Sequence, residues 1–597
     1  MTRTEEIVAA HAVGWRGGAP PASGDVVWIR PDRLMTHDNT SAVIARFRAS
    51  GRAAVADPRR LVVALDHDVQ NRSPEHRAKY AAIEAFARSQ GIEFHAAGSG
   101  IGHQLMIERG HVRPGGLVAA ADSHANMYGA EGALGVPVTR SDAAAIWASG
   151  LFWWEIPPVV RVRLEGRLPA GSTGKDAALV LCALYPDDAN GSSVEFSGPG
   201  LATLAADDRL TLANLTTEWG AAACVVDDGA AGPREGYTAT ITLDLAEVGP
   251  HVAGPDTLTS VSPLAAIAPR KIAIRKAYLV SCAGARASDL AAAAAALEGG
   301  RVAPGVRLYL SAASAAVERE ARAEGSWDAL VAAGATVLPS GCGPCIGLGE
   351  GLLADGETGI SASNRNFKGR MGSPKAACWL ASPAVVAASA RAGFITGPGG
   401  MPARTPPRAI VRHASRAAAV AGPRSPRRVE GRLVTFLRDG VDTDALCPAR
   451  FVYADATPPE QLASAVLEAL DPSFAPSVRP GDILVAGARF GIGSSREQAV
   501  LALRALGIAA VVAASLAPAF RRNAWNNGLL AVEAPAFVEA LVGRGTATIP
   551  GGKLVLDLGA WVARLDDVQA AIVPLPQVAL DLLDAGGLDA FVRGAAP

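Results

Sequence analysis

The chain has 597 residues, 49% hydrophobic and 19% charged, with 56 Lys and Arg against 57 Asp and Glu. That length predicts two to four domains, and the charge balance excludes a global basic field for nucleic acid or membrane. No apolar run reaches the ~18 residues of a membrane span, and seven cysteines in this length argue against a secreted disulfide scaffold.

The N-terminus, Met1 to Glu6, carries acids early and lacks an apolar leader, so the expectation is a cytoplasmic protein. Short apolar strands then alternate with Ala-rich helical stretches, the pattern of a layered α/β sheet. Residues 61–65 (LVVAL) read as a strand that runs into Asp66-His67-Asp68. A histidine beside carboxylates at a strand end suits proton transfer, because the carboxylate fixes the tautomer and raises basicity. Residues 78–90 read as a helix ending at Gly91, and residues 117–121 (LVAAA) as a strand leading into Asp122-Ser123-His124, a second site of the same kind. His103, in Gly-Ile-Gly-His-Gln, is a third candidate, whereas His76, His95 and His111 read as surface residues.

Residues 277–280 and 336–338 look like further strands, each ending in a cysteine-bearing loop. The first carries Cys282; the second carries Cys342-Gly-Pro-Cys345 between glycines. From spacing alone three readings stand: a redox pair, a structural metal site, or a three-thiolate iron–sulfur site with one iron free of protein ligand. Cys182, Cys224, Cys378 and Cys447 lie in apolar or helical surroundings and read as core fillers. Asn364-Arg365-Asn366-Phe367-Lys368-Gly369-Arg370 presents two guanidiniums five residues apart, suited to carboxylates.

Residues 397–428 are rich in Gly, Pro, Arg and Ala with little periodicity and read as a linker. A second region then opens with strands at 433–437 and 483–486. Phe490-Gly-Ile-Gly-Ser494-Ser495-Arg496 joins the latter to a helix over 495–506. Exposed amides and a helix start favour an anion there. The loop lacks the lysine of a nucleotide phosphate loop, so a carboxylate fits as well as a phosphate.

The full set resembles the aconitase superfamily. The resemblance rests on nine segments in order: LDHDVQN (65–71), GIGHQLMIE (100–108), ADSHANMYGAEGALG (121–135), ANLTTEWGA (213–221), SGCGPCIG (340–347), SASNRNFKGRMG (361–372), DTDALCPARF (442–451), GARFGIGSSREQA (487–499) and NNGLL (526–530). Their wording is most similar to that of single-chain fungal-type homoaconitases.

The resemblance implies an α/β fold: a three-domain region, residues 1–396, around a [4Fe-4S] cluster, a linker at 397–430, and a C-terminal swivel domain at 431–597. It implies cluster ligation by Cys282, Cys342 and Cys345, with Asn214 and Asn364 beside the cluster. Ser494 would be the base at carbon. Asp66 and His67 would protonate the leaving hydroxyl, supported by His103, Asp122, His124 and Glu218. Arg365, Arg370, Ser495 and Arg496 would hold substrate carboxylates, joined by His37, Ser123, Asp444 and Arg450.

The implied activity is a hydro-lyase on a small hydroxy-polycarboxylate, interconverting homocitrate and homoisocitrate through cis-homoaconitate, in a monomer without nucleic-acid or membrane partners. An isomerase of another substituted malate (3-isopropylmalate, citrate or a phosphonomethylmalate) is the alternative. An RNA-binding regulator and an inactive paralogue are further readings, opposed by the neutral charge and by the intact Ser494, His67 and Asp122. One departure stands out: the family's usual Thr-Asn after the first cysteine is Ala283-Gly284 here.

Overall fold

The computed structural model describes residues 1–15, 18–229, 232–258, 260–399, 404–413, 427–448, 451, 457–492, 496–542 and 551–594. A ten-stranded sheet is built from two parallel sets. One set runs Glu93–His95, Leu61–Ala64, Arg33–Thr36, Leu117–Ala120, Leu134–Pro137 in spatial order. The other set is Ala223–Val226, Ser193–Ser197, Val159–Glu165 and Ala239–Asp244. The sets meet antiparallel where Cys224 pairs with Gly135. Only glycine fits that seam, because a Cβ on Gly135 would lie 2.0 Å from the Ala125 carbonyl oxygen. Both central strands Leu61–Ala64 and Leu117–Ala120 are wholly buried, as continuous apolar runs in a covered parallel sheet should be.

The chain winds outward from Arg33–Thr36 in one direction and from Leu117–Ala120 in the other. A crevice therefore opens at the carboxyl ends of those two strands, where doubly wound sheets bind ligands. A seven-stranded sheet repeats the arrangement. Its parallel strands Lys276–Leu279 and Thr358–Ser361 are neighbours from which the winding diverges. Cys282 follows one and Asn364 the other.

The C-terminal sheet has four parallel strands, Arg428–Phe436, Ile483–Ala486, Ala510–Ala513 and Leu530–Glu533, extended by an antiparallel meander over residues 551–571. Its apolar core is continuous with that of the first sheet, from Val63 and Trp147 through Trp153 to Trp525 and Val512. Polar contacts fix the docking. Buried Asp142 accepts from Arg522 Nε at 2.8 Å and Asn526 Nδ2 at 2.9 Å. Trp153 Nε1 donates to Asn526 Oδ1 at 2.8 Å, and Arg46 pairs with Glu497 at 2.9 Å. Trp153→Phe keeps an aromatic ring but removes the pyrrole half of the indole and leaves the Asn526 oxygen without its donor. The expected cost is about 1–3 kcal/mol, read as a lower urea midpoint with an unchanged slope.

Three local expectations change. The helix read as starting at residue 78 spans Pro74–Gln90, because Ser73 caps the His76 amide and Pro74 occupies the first turn. The segment read as linker holds strand Ile410–Arg412, which adds antiparallel to the edge of Ala239–Asp244, using the short apolar run there. The helix expected from residue 495 is Glu497–Ala505 among the described residues.

Candidate active site

Asp66 and His67 sit directly after strand Leu61–Ala64, on a turn tied down from below. Asp38, two residues after strand Arg33–Thr36, accepts the backbone amides of Asp66 at 3.0 Å, His67 at 2.9 Å and Asp68 at 3.2 Å. The Tyr80 hydroxyl also donates to it. Asp66 is buried; its Oδ2 accepts the Gly102 amide at 2.7 Å, and its Oδ1 lies 2.5 Å from His67 Nδ1. This leaves His67 Nε2 facing Asp122 Oδ2 at 3.5 Å. His37 stacks on His67 with centroids 4.0 Å apart, and its Nε2 reaches the Ala121 carbonyl at 2.9 Å. Burial, then the charge of His67, pull the His37 pKa down to about 4. His37 is therefore a neutral ring beside its partner.

Asp122 is the hub of the opposite wall. Its Oδ1 takes His103 Nε2 at 2.7 Å and the His124 amide at 2.8 Å. Because the carboxylate accepts, His103 carries a proton on Nε2, and its Nδ1 lies 2.9 Å from the Tyr128 hydroxyl. Burial pushes the Asp122 carboxyl up. The charge of His103 and the hydrogen bonds from His103, His124 and His67 outweigh it and hold the group well below the usual carboxylate range. His124 Nε2 meets Glu218 Oε1 at 2.8 Å, Arg365 Nε meets Glu218 Oε2 at 2.8 Å, and Arg365 Nη2 donates to Ser123 Oγ at 3.1 Å. Burial raises the Glu218 pKa, but Arg365 and His124 bring it to about 2.

The third wall carries sulfur. Cys282, Cys342 and Cys345 line the same cleft as Asp66, His67, Asp122 and Arg365. None is in a disulfide. The Cys342 amide donates to the Asp66 carbonyl at 2.6 Å and the Gly343 amide to the His67 carbonyl at 3.2 Å. The cysteine turn is thereby strapped to the acid–base turn. Asn214 Nδ2 points at Cys282 Sγ from 3.1 Å and Asn364 Nδ2 from 3.5 Å, while Asn364 Oδ1 is buried without a partner among the described residues. Burial pushes the Cys282 thiol up to about 11. A buried thiol of this kind becomes a thiolate when a metal takes its place as counter-charge. Three convergent thiols with amides aimed at one sulfur fit a metal or iron–sulfur group.

Most of the residues expected at the site converge on this cleft; the rest divide. Arg370 lines it and donates Nε to the Cys345 carbonyl at 2.8 Å. Arg496, at the start of helix Glu497–Ala505, pairs with Asp444 of helix Thr443–Leu446 rather than lining the cleft. Ser494, Ser495 and Arg450 lie outside the described residues. Cys182, Cys224, Cys378 and Cys447 are buried.

The surface reading of three histidines is corrected. His95 is buried, and Glu93 bridges it at 2.8 Å and His111 at 2.9 Å, while His76 packs on Tyr80. The Ala283-Gly284 departure has a steric counterpart: a Cβ on Gly284 would lie 2.2 Å from the Ala362 carbonyl oxygen.

Residues that the sequence reading did not single out also serve the site. Asp38 and Tyr80 hold the acid–base turn. Arg286, fully buried, donates to the Cys282 carbonyl and to Thr211 Oγ1 at 2.9 Å. Lys175, also buried, reaches the turn before Asn364. The available signals were Asp38 at a strand end beside His37, and a lone lysine opening an apolar helix, Gly174–Leu184.

Residues 5–231 and 226–393 match the model of the aconitase family (aconitate hydratase), and residues 463–536 match the aconitase C-terminal domain. The mitochondrial homoaconitase of Eremothecium gossypii is 48% identical over 592 residues, covering 90% of this chain and 86% of its own. That of Cryptococcus neoformans is 40% identical over 702 residues, covering 100% and 96%. A solved 3-isopropylmalate dehydratase from Methanocaldococcus jannaschii is 34% identical and covers 28% of this chain and 95% of its own, with a TM-score of 0.25.

Both homoaconitases are mitochondrial by name, which overturns the cytoplasmic expectation. The acids it rested on have local work: Glu5 closes a capping box with Thr2, and Glu6 pairs with Arg3 at 2.9 Å. Matched across both sheets of the cleft and through much of the C-terminal region, the chain belongs to the aconitase family.

Proposed function

We propose that the protein is an iron–sulfur hydro-lyase that interconverts homocitrate and homoisocitrate through cis-homoaconitate. The observation that carries this reading is the convergence of three thiols, three histidine–carboxylate contacts and two arginines on one cleft. The similarity to homoaconitases over about nine tenths of the chain selects the substrate. Cys282, Cys342 and Cys345 would hold a [4Fe-4S] cluster, with Asn214 and Asn364 hydrogen-bonded at its edge. When bound, such a cluster supplies a Lewis acid at the iron that lacks a protein ligand.

The chain's own groups do the proton work. His67, oriented by Asp66, delivers a proton to the departing hydroxyl. Asp122 holds His103 and the His124 turn in place around it. Ser494 takes the carbon-bound proton. Arg365 and Arg370 engage substrate carboxylates bidentately, and Ser123, His37, Ser495 and Arg450 complete the substrate contacts.

The test is anaerobic reconstitution with iron and sulfide, followed by ultraviolet detection of alkene formation. The panel holds homoisocitrate, isocitrate, 3-isopropylmalate and a phosphonomethylmalate. Absorbance should rise with homoisocitrate. Turnover confined to another panel member would transfer the mechanism to that substrate. A protein that binds no cluster would overturn the three-cysteine assignment.

A further inference from the structure

Lys175 opens helix Gly174–Leu184 of the first sheet's layer, yet its side chain is only 1% exposed. Its ammonium donates to the Ala362 carbonyl at 2.5 Å and to the Ser363 carbonyl at 2.6 Å. Those carbonyls end strand Thr358–Ser361 of the second sheet and immediately precede Asn364, the residue that points at Cys282 Sγ. One side chain thus joins the two sheets behind the cysteine wall.

Two hydrogen bonds to neutral carbonyls do not compensate a buried ammonium, which needs an anion. Among the described residues, no carboxylate forms an ion pair with it. The two buried acids in its neighbourhood hydrogen-bond to neutral backbone amides rather than to the ammonium. Asp176 takes the Thr173 amide at 2.8 Å and the His251 amide at 2.9 Å, and Asp289 takes the Arg286 amide at 3.0 Å. Burial raises both of their pKa values to about 6, which leaves them negative at neutral pH, so the ammonium shares their charge without a direct contact. The charges that act on the ammonium are, in order, those of Asp289, Cys345, Asp176 and Cys282, the two sulfurs contributing once they are thiolates. Both cysteines line the cleft and Lys175 does not.

We propose that Lys175 is a positioning residue and buried counter-charge for a cluster on Cys282, Cys342 and Cys345: it pins the turn that aims Asn364 at Cys282 and offsets thiolate charge from outside the cleft. This rests on the cluster reading above. It predicts two separable effects. Loss of the carbonyl contacts loosens the turn and speeds cluster loss. Loss of the charge makes adding an electron to the cluster harder and moves its reduction potential negative, because burial keeps the effective dielectric low.

Two variants separate them. Lys175→Met keeps most of the stem and removes donors and charge; Lys175→Gln removes the charge but keeps an amide donor, one bond shorter. Wild type and both variants are reconstituted anaerobically. Cluster loss to a chelator is followed by visible absorbance, and the potential is measured by titration monitored with electron paramagnetic resonance. We expect faster loss in Lys175→Met, partial restoration in Lys175→Gln, and a more negative potential in both. Gln restoring both quantities would make Lys175 a mechanical anchor and overturn the charge assignment. Variants indistinguishable from a cluster-bearing wild type would overturn the inference alone. A wild type that holds no cluster would overturn it together with the cluster reading.

Discussion

Asp122→Asn should lower kcat by roughly 10²- to 10⁴-fold, the range for disabling acid–base support, with little change in the fold. The substitution is isosteric, and the amide oxygen still accepts from His103 Nε2 and the His124 amide, as Oδ1 does at 2.7 and 2.8 Å. The amide nitrogen takes the place of Oδ2, which faces His67 Nε2 at 3.5 Å and His37 Nε2 at 3.9 Å. What disappears is the negative charge among these rings. That charge favours a proton on the neighbouring imidazoles, and the proposed mechanism needs one there. Asp122→Ala removes the acceptors too and should be worse. The check is steady-state kinetics at matched cluster content. An unchanged kcat in Asp122→Asn would mean that Asp122 works through geometry alone.

The strand-end chemistry was legible in the sequence because it follows short apolar runs directly. Asp66-His67 after LVVAL and Asp122-Ser123-His124 after LVAAA stand where a parallel sheet opens its crevice, so residue type and position agree. The cysteines were legible as donors, but from spacing alone their meeting was one of three readings, because Cys282 and the Cys342–Cys345 turn follow different strands of the second sheet; the family resemblance joined them, and the straps to the Asp66 and His67 carbonyls set the Cys342–Cys345 turn against the acid–base groups.

Supporting residues escaped for a related reason. Asp38 binds three backbone amides about thirty residues away, and Lys175 binds carbonyls 187 and 188 residues away. Backbone partners leave no mark in side-chain pattern. His95 and His111 were misread because their polar neighbours suggest solvent, whereas both share Glu93 in a part-buried contact. In the supposed linker, three residues sufficed to extend a sheet edge, too short a run for periodicity to register.

The second large effect concerns stability. Arg365→Met should cost the apoprotein about 3–5 kcal/mol, the penalty for leaving one member of a buried ion pair uncompensated. Glu218 is that member. Its side chain is 8% exposed, and Arg365 Nε straddles its two oxygens at 2.7 and 2.8 Å. His124 supplies its other contact, at 2.8 Å. Methionine preserves much of the stem's packing but leaves the carboxylate with an imidazole in place of a guanidinium. Glu218→Gln in the same background should recover most of the loss. The glutamine oxygen still accepts from His124 Nε2, and no buried charge then lacks a counter-charge.

Glu218→Gln alone should also destabilise, by stranding the guanidinium. The penalty should be smaller, because Arg365 is 23% exposed and retains Ser123 Oγ at 3.1 Å. The sign of the coupling is the discriminating quantity: the double variant should be more stable than Arg365→Met, which additivity of two independent losses forbids. Urea denaturation of the four apoproteins measures it. If Glu218→Gln lowers the midpoint further in the Arg365→Met background, the pair is not the self-contained unit that its geometry describes. The substrate contacts assigned to Arg365 would then have to be judged apart from Glu218.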